Sequence, residues 1–168
     1  MMWLLFVIED MTSRSYQQCM NPDKEKALRD LADLGFKGRD VYLAELLPVV
    51  EMAWADGVIA PNERALLEAY GEALTDRLNR QAGAQFFGLA RTLLVLDRLT
   101  ERRLTPAQRL TALRALKTWS GSGSSGKEMQ SGMLEWAEAI AAVDGSPVWD
   151  TRELFWLQTM KRNLEEGF

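Results

Sequence analysis

The sequence contains no histidine and only one cysteine, Cys19, among its 168 residues. A disulfide within the chain is therefore excluded, and so are the common zinc sites, which need several Cys or His ligands. Catalytic triads and dyads that depend on a histidine base are excluded as well. Any metal ion must be bound by oxygen atoms, which favours Ca²⁺, Mg²⁺ or Mn²⁺.

Other signatures of function are also missing. The sequence has neither a phosphate loop of the G-x-x-x-x-G-K type nor a dinucleotide fingerprint, so we do not expect an enzyme. The net charge is −4 and no basic stripe occurs, which argues against nucleic acid as a partner. We expect a protein partner instead. The longest apolar run is shorter than the roughly 20 residues that span a bilayer, so membrane contact should be at most peripheral.

The chain length and the 47% of hydrophobic residues predict one globular domain, which we place at residues 21–168. Residues 1–20 form a separate arm that begins with the apolar run Met1–Ile8. This run lacks the basic start of a signal peptide. Two interpretations stay open: an arm that packs on this chain or on a neighbour, or a natural start downstream, at Met11 or Met20.

Helical periodicity and capping signals predict an all-α fold of about seven helices. No run of alternating β-branched residues indicates a sheet. A Gly/Ser-rich segment, residues 120–126, is predicted to be a flexible loop. Three helices are predicted from their starts, at Asn21-Pro22, at Pro61 and at Thr105, where Thr105 and Gln108 form a capping box. Four more are predicted over residues 40–55, 82–99, 127–143 and 151–164. In the helix at 40–55 we expect a kink at Pro48 or a break just before it.

An internal repeat is the most informative feature. The stretch from Asp56 to Glu63 reads D-G-x-I-x-x-x-E, and a similar D-G…E occurs from Asp144 to Glu153. Each follows an apolar helix and leads into a new helix. We therefore predict two helical corners, at residues 52–66 and 140–156, in a duplicated unit related by a pseudo-twofold axis.

The corners allow two chemical interpretations. In the structural one, Gly57 reverses the chain with a positive φ, and Glu63 and Glu153 cap the helices that follow. In the other, the carboxylates of Asp56 and Glu63 hold Ca²⁺ or Mg²⁺, and Asp144 and Glu153 hold a second ion. D-G-x-I-x-x-x-E matches the second half of a calcium loop. The upstream ligand positions of such a loop fall on Met52 and Trp54, so binding would be weak.

The pattern A-x-A-D-G-x-I-x-x-x-E-R, present from Ala53 to Arg64, resembles the TerB-like superfamily. Its members include tellurite-resistance proteins and a domain of a membrane-anchored J-domain co-chaperone. The second corner departs from the pattern, because Pro147 replaces the aliphatic residue. The resemblance implies seven helices in two antiparallel repeats, divalent metal at the corner acids, and a cytoplasmic stress-response role, in a complex at the inner face of the membrane.

Two hypotheses about function follow. The chain is either a TerB-like stress-response protein that weakly binds a divalent cation, or a helical interaction module whose corners are purely structural. Tryptophans bear on the second hypothesis. We expect Trp54, Trp136 and Trp156 in the core, with Trp149 as a core plug or an exposed anchor. The helix segment 153–160 is apolar nearly all round, so it should be heavily buried or bound to a partner.

Overall fold

A computed structural model describes residues 21–143 and 151–164. In these ranges all regular secondary structure is helical, which confirms the predicted all-α class. The pseudo-twofold repeat stays a prediction, because residues 144–150 of the second corner lie outside the described ranges. The helices are α1 (Pro22–Asp33), a 3-10 segment (Gly38–Leu43), α2 (Leu46–Ala53), α3 (Pro61–Ala82), α4 (Leu89–Glu101), α5 (Pro106–Ser120), α6 (Ser124–Ala142) and α7 (Thr151–Leu164).

Helix α2 is the centre of the core. All eight of its residues are buried, and it contacts α3, α4, α5, α6 and α7. A helix that is apolar nearly all round must be covered on every side, which explains this position. The continuous helix expected from residue 40 is broken, as anticipated, before Pro48. Pro48 lies in the first turn of α2, where its missing N–H removes no helical hydrogen bond.

Capping residues fix several helix starts as the sequence predicts. The side chain of Asn21 accepts a hydrogen bond of 2.9 Å from the backbone N–H of Asp23, the second residue of α1. Thr105 and Gln108 form the predicted capping box at the start of α5. Each such contact satisfies an N–H group that the first helical turn leaves without a partner.

The helix predicted for residues 82–99 has a different start. Helix α3 continues to Ala82, and Gly83 ends it with φ +67°. Helix α4 begins only at Leu89. The reason is Asn79, whose side-chain oxygen accepts from the N–H groups of Phe86 and Phe87, both at 2.8 Å. These bonds hold the chain in a loop where its apolar periodicity indicated a helix.

The prediction of a flexible loop over residues 120–126 is wrong, because the connection in the structure is shorter. Ser120 ends α5, Ser124 already begins α6, and only residues 121–123 connect the two helices. A Cβ atom added at Gly126 would lie within 3.0 Å of the carbonyl oxygens of Ser120 and Gly121. Glycine at this position therefore permits close approach of the two backbones.

Of the tryptophans, Trp156 is buried, whereas Trp54 and Trp136 are half-buried against the core. Trp149 and the N-terminal arm lie outside the described residues. None of the helices in the described ranges is long and apolar enough to cross a membrane.

Candidate functional site

The first corner joins α2 to α3 by a sharp reversal of the chain. Gly57 has φ +104°, a conformation that glycine adopts without steric cost. The carboxylate of Asp56 accepts a hydrogen bond from the backbone N–H of Val58 (3.0 Å). This is the local side-chain bond by which aspartate favours turns. The positive φ predicted for Gly57 is therefore confirmed.

Glu63 acts within its own helix. Its side chain is buried, and Oε2 accepts a hydrogen bond from the backbone N–H of Ala60 (2.7 Å). A glutamate at the third helical position thereby satisfies a donor just before the helix, as the structural interpretation predicts. Asp56 and Glu63 thus each accept a hydrogen bond from the backbone of the corner.

Three of the four proposed ligands, Asp56, Glu63 and Glu153, lie in the described ranges. Asp56 and Glu63 lie at the two ends of the same corner, and Glu153 lies in the first turn of α7. Asp144 is outside the described residues. Among the residues that the structure does describe, no group of three or more Cys, Asp or Glu side chains is arranged to hold a metal ion. Cation binding therefore stays a prediction.

Two arginines connect the corner to neighbouring helices by hydrogen bonds. Arg64, in α3, donates to Glu68 (2.8 Å), to Thr100 (2.9 Å) and to Asp97. The hydrogen bond to Asp97 raises the pKa of Arg64, so this side chain stays charged. Arg152, in α7, donates to the main-chain oxygen of Asp56 (3.3 Å). The corner is thereby connected to both α4 and α7.

An open cavity of about 540 Å³ lies beside the corner. Its lining includes Trp54, Val58, Ile59, Arg64 and Thr100. Its volume falls within the range of sites that accept small molecules or protruding side chains. Apolar walls with one arginine at the side suit an apolar group more than a charged one.

Apolar side chains are exposed at the corner and on α7. Val58 is 68% exposed and Phe155 is 70% exposed, which is unusual for large apolar residues. Phe155 follows Arg152 by three positions in α7, so the two side chains share a helix face. Because Arg152 reaches Asp56, this face of α7 adjoins the corner. Residues 153–160 are predicted to be either heavily buried or bound to a partner. In the structure Trp156, Leu157 and Met160 are buried, whereas Leu154 and Phe155 are exposed.

Sequence reasoning missed a buried polar cluster behind the corner. Glu51, only 2% exposed, lies within the apolar helix α2. Its Oε1 accepts from the N–H of Leu104 (2.9 Å), and its Oε2 is 3.6 Å from Nε of Arg109. Burial raises the pKa of Glu51, and burial lowers the pKa of Arg109. A single acidic residue inside an apolar run was the available signal, since a buried charge needs a partner.

A second buried acid stands nearby in the same region. Glu45 is 3% exposed and pairs with Arg77, while the hydroxyl of Tyr70 donates to its carboxylate at 3.4 Å. Burial raises the pKa of Glu45. Burial also raises the pKa of Tyr70 well above its usual value. These pairs connect the centre of the core to α3 and α5.

No family model, curated protein or solved structure matches this chain in comparisons with all three. The TerB-like resemblance therefore rests on the residues of the two corners alone and stays a prediction.

Proposed function

We propose that the chain is a helical protein-binding module whose first corner is a structural scaffold. The observations that carry this proposal are the Arg152–Asp56 hydrogen bond, which joins α7 to the corner, and two exposed apolar side chains: Val58, beside Asp56, and Phe155, one turn after Arg152. We call these two side chains the corner surface. Its partner is a protein segment with a protruding apolar side chain that fits the adjoining cavity.

The physical argument concerns the cost of exposure. Val58 and Phe155 are 68% and 70% exposed. Covering such side chains gives about 25 cal/mol for each Å² of apolar area removed from water. Aromatic side chains such as Phe155 are favoured anchors in protein interfaces. The hydrogen bonds of Asp56 and Glu63 hold the corner in one conformation, so binding requires little further ordering.

Photo-crosslinking tests this proposal. A photoreactive amino acid is placed at Val58, at Phe155 or at Leu89 in separate proteins expressed in the native cells. Leu89 is the control, because it is 39% exposed at the start of α4, at least two turns away from Asp97 and Thr100. We expect the same protein to be captured from positions 58 and 155 and not from 89. Phe155→Asp should abolish capture from position 58. Equal capture from all three positions would contradict the proposal.

Cation binding in a TerB-like protein is the second candidate function. The observation that favours it is the exposed carboxylate of Asp56, of which only Oδ1 accepts a hydrogen bond from the described residues. Asp56 and Glu63 would contribute one oxygen each, and main-chain oxygens and water would complete a Ca²⁺ or Mg²⁺ shell. A site with two carboxylates binds weakly.

Thermal unfolding with added cation tests this candidate. Ca²⁺ or Mg²⁺ should raise Tm in a saturable way, since an ion that binds only the native state stabilises it. Asp56→Ala and Glu63→Ala should both abolish the rise, whereas Glu153→Ala should leave most of it. A Tm that is unchanged by millimolar cation would reject the metal site and leave the protein-binding proposal intact.

The stress-response role belongs to the same second candidate and is supported by the TerB-like pattern alone. In this proposal the protein works in the cytoplasm. Deletion of its gene should lower tolerance to tellurite, and expression of the Asp56→Ala variant should fail to restore it. Unchanged tolerance after deletion would reject the role in tellurite resistance.

A further inference from the structure

A second cavity, of about 330 Å³, lies between the 3-10 segment and the start of α4. It shares no lining residue with the cavity at the corner and is independent of the function proposed above. Three cationic side chains line it, namely Lys37, Arg39 and Arg91, together with one carboxylate, Asp40. A cavity with this excess of positive charge is unexpected in a chain whose net charge is −4.

Two of the three cations lack a neutralising partner in the part of the chain that the structure describes. Within the described ranges, Lys37 and Arg39 form no hydrogen bond or ion pair. The guanidinium of Arg39 lies 4.8 Å from the ring centroid of Phe86. This cation–π contact positions the side chain without neutralising its charge. Both groups therefore keep their donors available for an anion in the cavity.

The third cation is held in place by a buried carboxylate. Asp40 is 7% exposed, and its two oxygens accept from Nε (3.0 Å) and from Nη2 of Arg91. This two-pronged bond fixes the plane of the guanidinium. The terminal nitrogen Nη1 makes no hydrogen bond to the described residues. Arg91 is thus a positioned donor rather than a mobile surface cation.

The backbone adds a further positive contribution. Gly88, which also lines the cavity, precedes α4. None of the described side chains caps this helix, and no acidic residue lies in its first turn. The exposed N–H groups of a helix start carry partial positive charge and bind anions. Asn79 fixes the preceding loop, because its amide also donates to the main-chain oxygen of Phe87 (2.9 Å). The donors are therefore ordered before any ligand arrives.

We propose that this cavity binds a phosphate group carried by a small phosphate monoester. Guanidinium groups and helix N–H groups suit the several acceptor oxygens of a phosphate dianion. A volume of about 330 Å³ leaves room for a small organic group beside the phosphate. Phe86 and Phe87 also line the cavity and provide apolar contacts for that group.

The test uses phenyl phosphate as the probe, with inorganic phosphate and vesicles containing phosphatidic acid as separate arms. Binding is followed by calorimetry and by amide chemical shifts in NMR spectra of the full chain. We expect saturable binding of phenyl phosphate, weaker binding of inorganic phosphate, and shifts concentrated at residues 88–90. Binding only to the vesicles would support a phosphate site and assign it to a lipid headgroup.

Two double variants make the test specific. Lys37→Gln with Arg39→Gln removes the unpaired cations of the cavity and should weaken phenyl phosphate binding at least about tenfold, because each lost bond involves a charged donor. Lys24→Gln with Arg114→Gln is the matched control, since it removes the same two charge types outside the cavity. We expect the control to bind as the unaltered protein does.

Two results would overturn the site. One is equal binding by the cavity variant and its control, and the other is no binding of any probe at millimolar concentration. Arg91 is left unaltered in both variants, because its removal would leave Asp40 buried without its partner and threaten the fold. Normal far-ultraviolet dichroism of both double variants establishes that a change in binding reflects the site.

Discussion

The indole N–H of Trp156 donates a hydrogen bond of 3.0 Å to the main-chain oxygen of Pro48, 108 positions earlier in the chain. Trp156 lies in α7 and Pro48 in the first turn of the central helix α2. The bond therefore anchors the last described helix to the middle of the core. Both groups are buried, so the indole N–H depends on this bond for its acceptor.

Replacing Trp156 by Phe should destabilise the fold by about 1–3 kcal/mol, because a buried hydrogen bond to the main-chain oxygen of Pro48 is lost and the smaller ring leaves space. Urea unfolding monitored by dichroism measures this change. Trp136→Phe is the control: Trp136 is half-buried and its described contacts are with rings and core side chains. An equal loss in both variants would show that ring volume, rather than the hydrogen bond, matters.

The two glycines of α6 should respond to alanine in opposite ways. Gly126→Ala should cost about 1–3 kcal/mol, since its Cβ would clash with two backbone oxygens that cannot move cheaply. Gly132→Ala, in the same helix, meets nothing within 4 Å. It should be neutral or stabilise by up to about 1 kcal/mol through helix propensity. Tm values of the two variants decide this, and tolerance of alanine at 126 would reject the close approach.

The capping role of Glu63 predicts that its replacement lowers the stability of the fold. Glu63→Ala should lower the free energy of unfolding by about 0.5–2 kcal/mol, as the loss of a helix cap generally does. Glu63→Gln should lose less, because its amide oxygen still accepts from Ala60. Glu68→Ala, one turn further along α3, removes only an exposed ion pair with Arg64 and should change stability by less than about 1 kcal/mol. Chemical denaturation of the three variants measures the series.

The buried carboxylate of Glu51 predicts how the free energy of unfolding changes with pH. Its pKa is raised in the folded protein, mainly by burial, so the native state binds the proton more tightly than the unfolded chain does. The resulting stabilisation is complete below the ordinary pKa of 4.5 and is lost as the pH rises through the raised value. Each unit by which the pKa is raised corresponds to about 1.4 kcal/mol of this stabilisation.

The Glu51→Gln variant isolates this effect, because glutamine does not titrate. The unfolding free energy of the unaltered protein minus that of the variant should fall as the pH rises above about 4.5, and then level off. Glu45 shifts in the same direction but is present in both proteins, so its contribution cancels. Urea titrations at several pH values measure the difference, and a difference that does not vary with pH would contradict the prediction.

Several features follow from the sequence alone because they depend on neighbouring residues. The start of α1 at Asn21, the capping box at Thr105 and the corner of Gly57 and Glu63 each involve groups within a few positions of each other. The helical class follows in the same way, since amphipathic periodicity and caps repeat along the chain. The cation site, the twofold repeat and the TerB-like role were also inferred from short patterns, and they stay predictions.

Only the tertiary structure decided the features that join distant segments. Asn79 holds residues 86–87 in a loop, Glu51 faces Arg109 across the core, and Gly126 meets the end of α5. The cavity at Arg91 likewise assembles from two segments that are far apart in sequence. A local pattern reports the conformation that neighbouring residues favour, whereas the packing that selects partners and excludes alternatives depends on every helix at once.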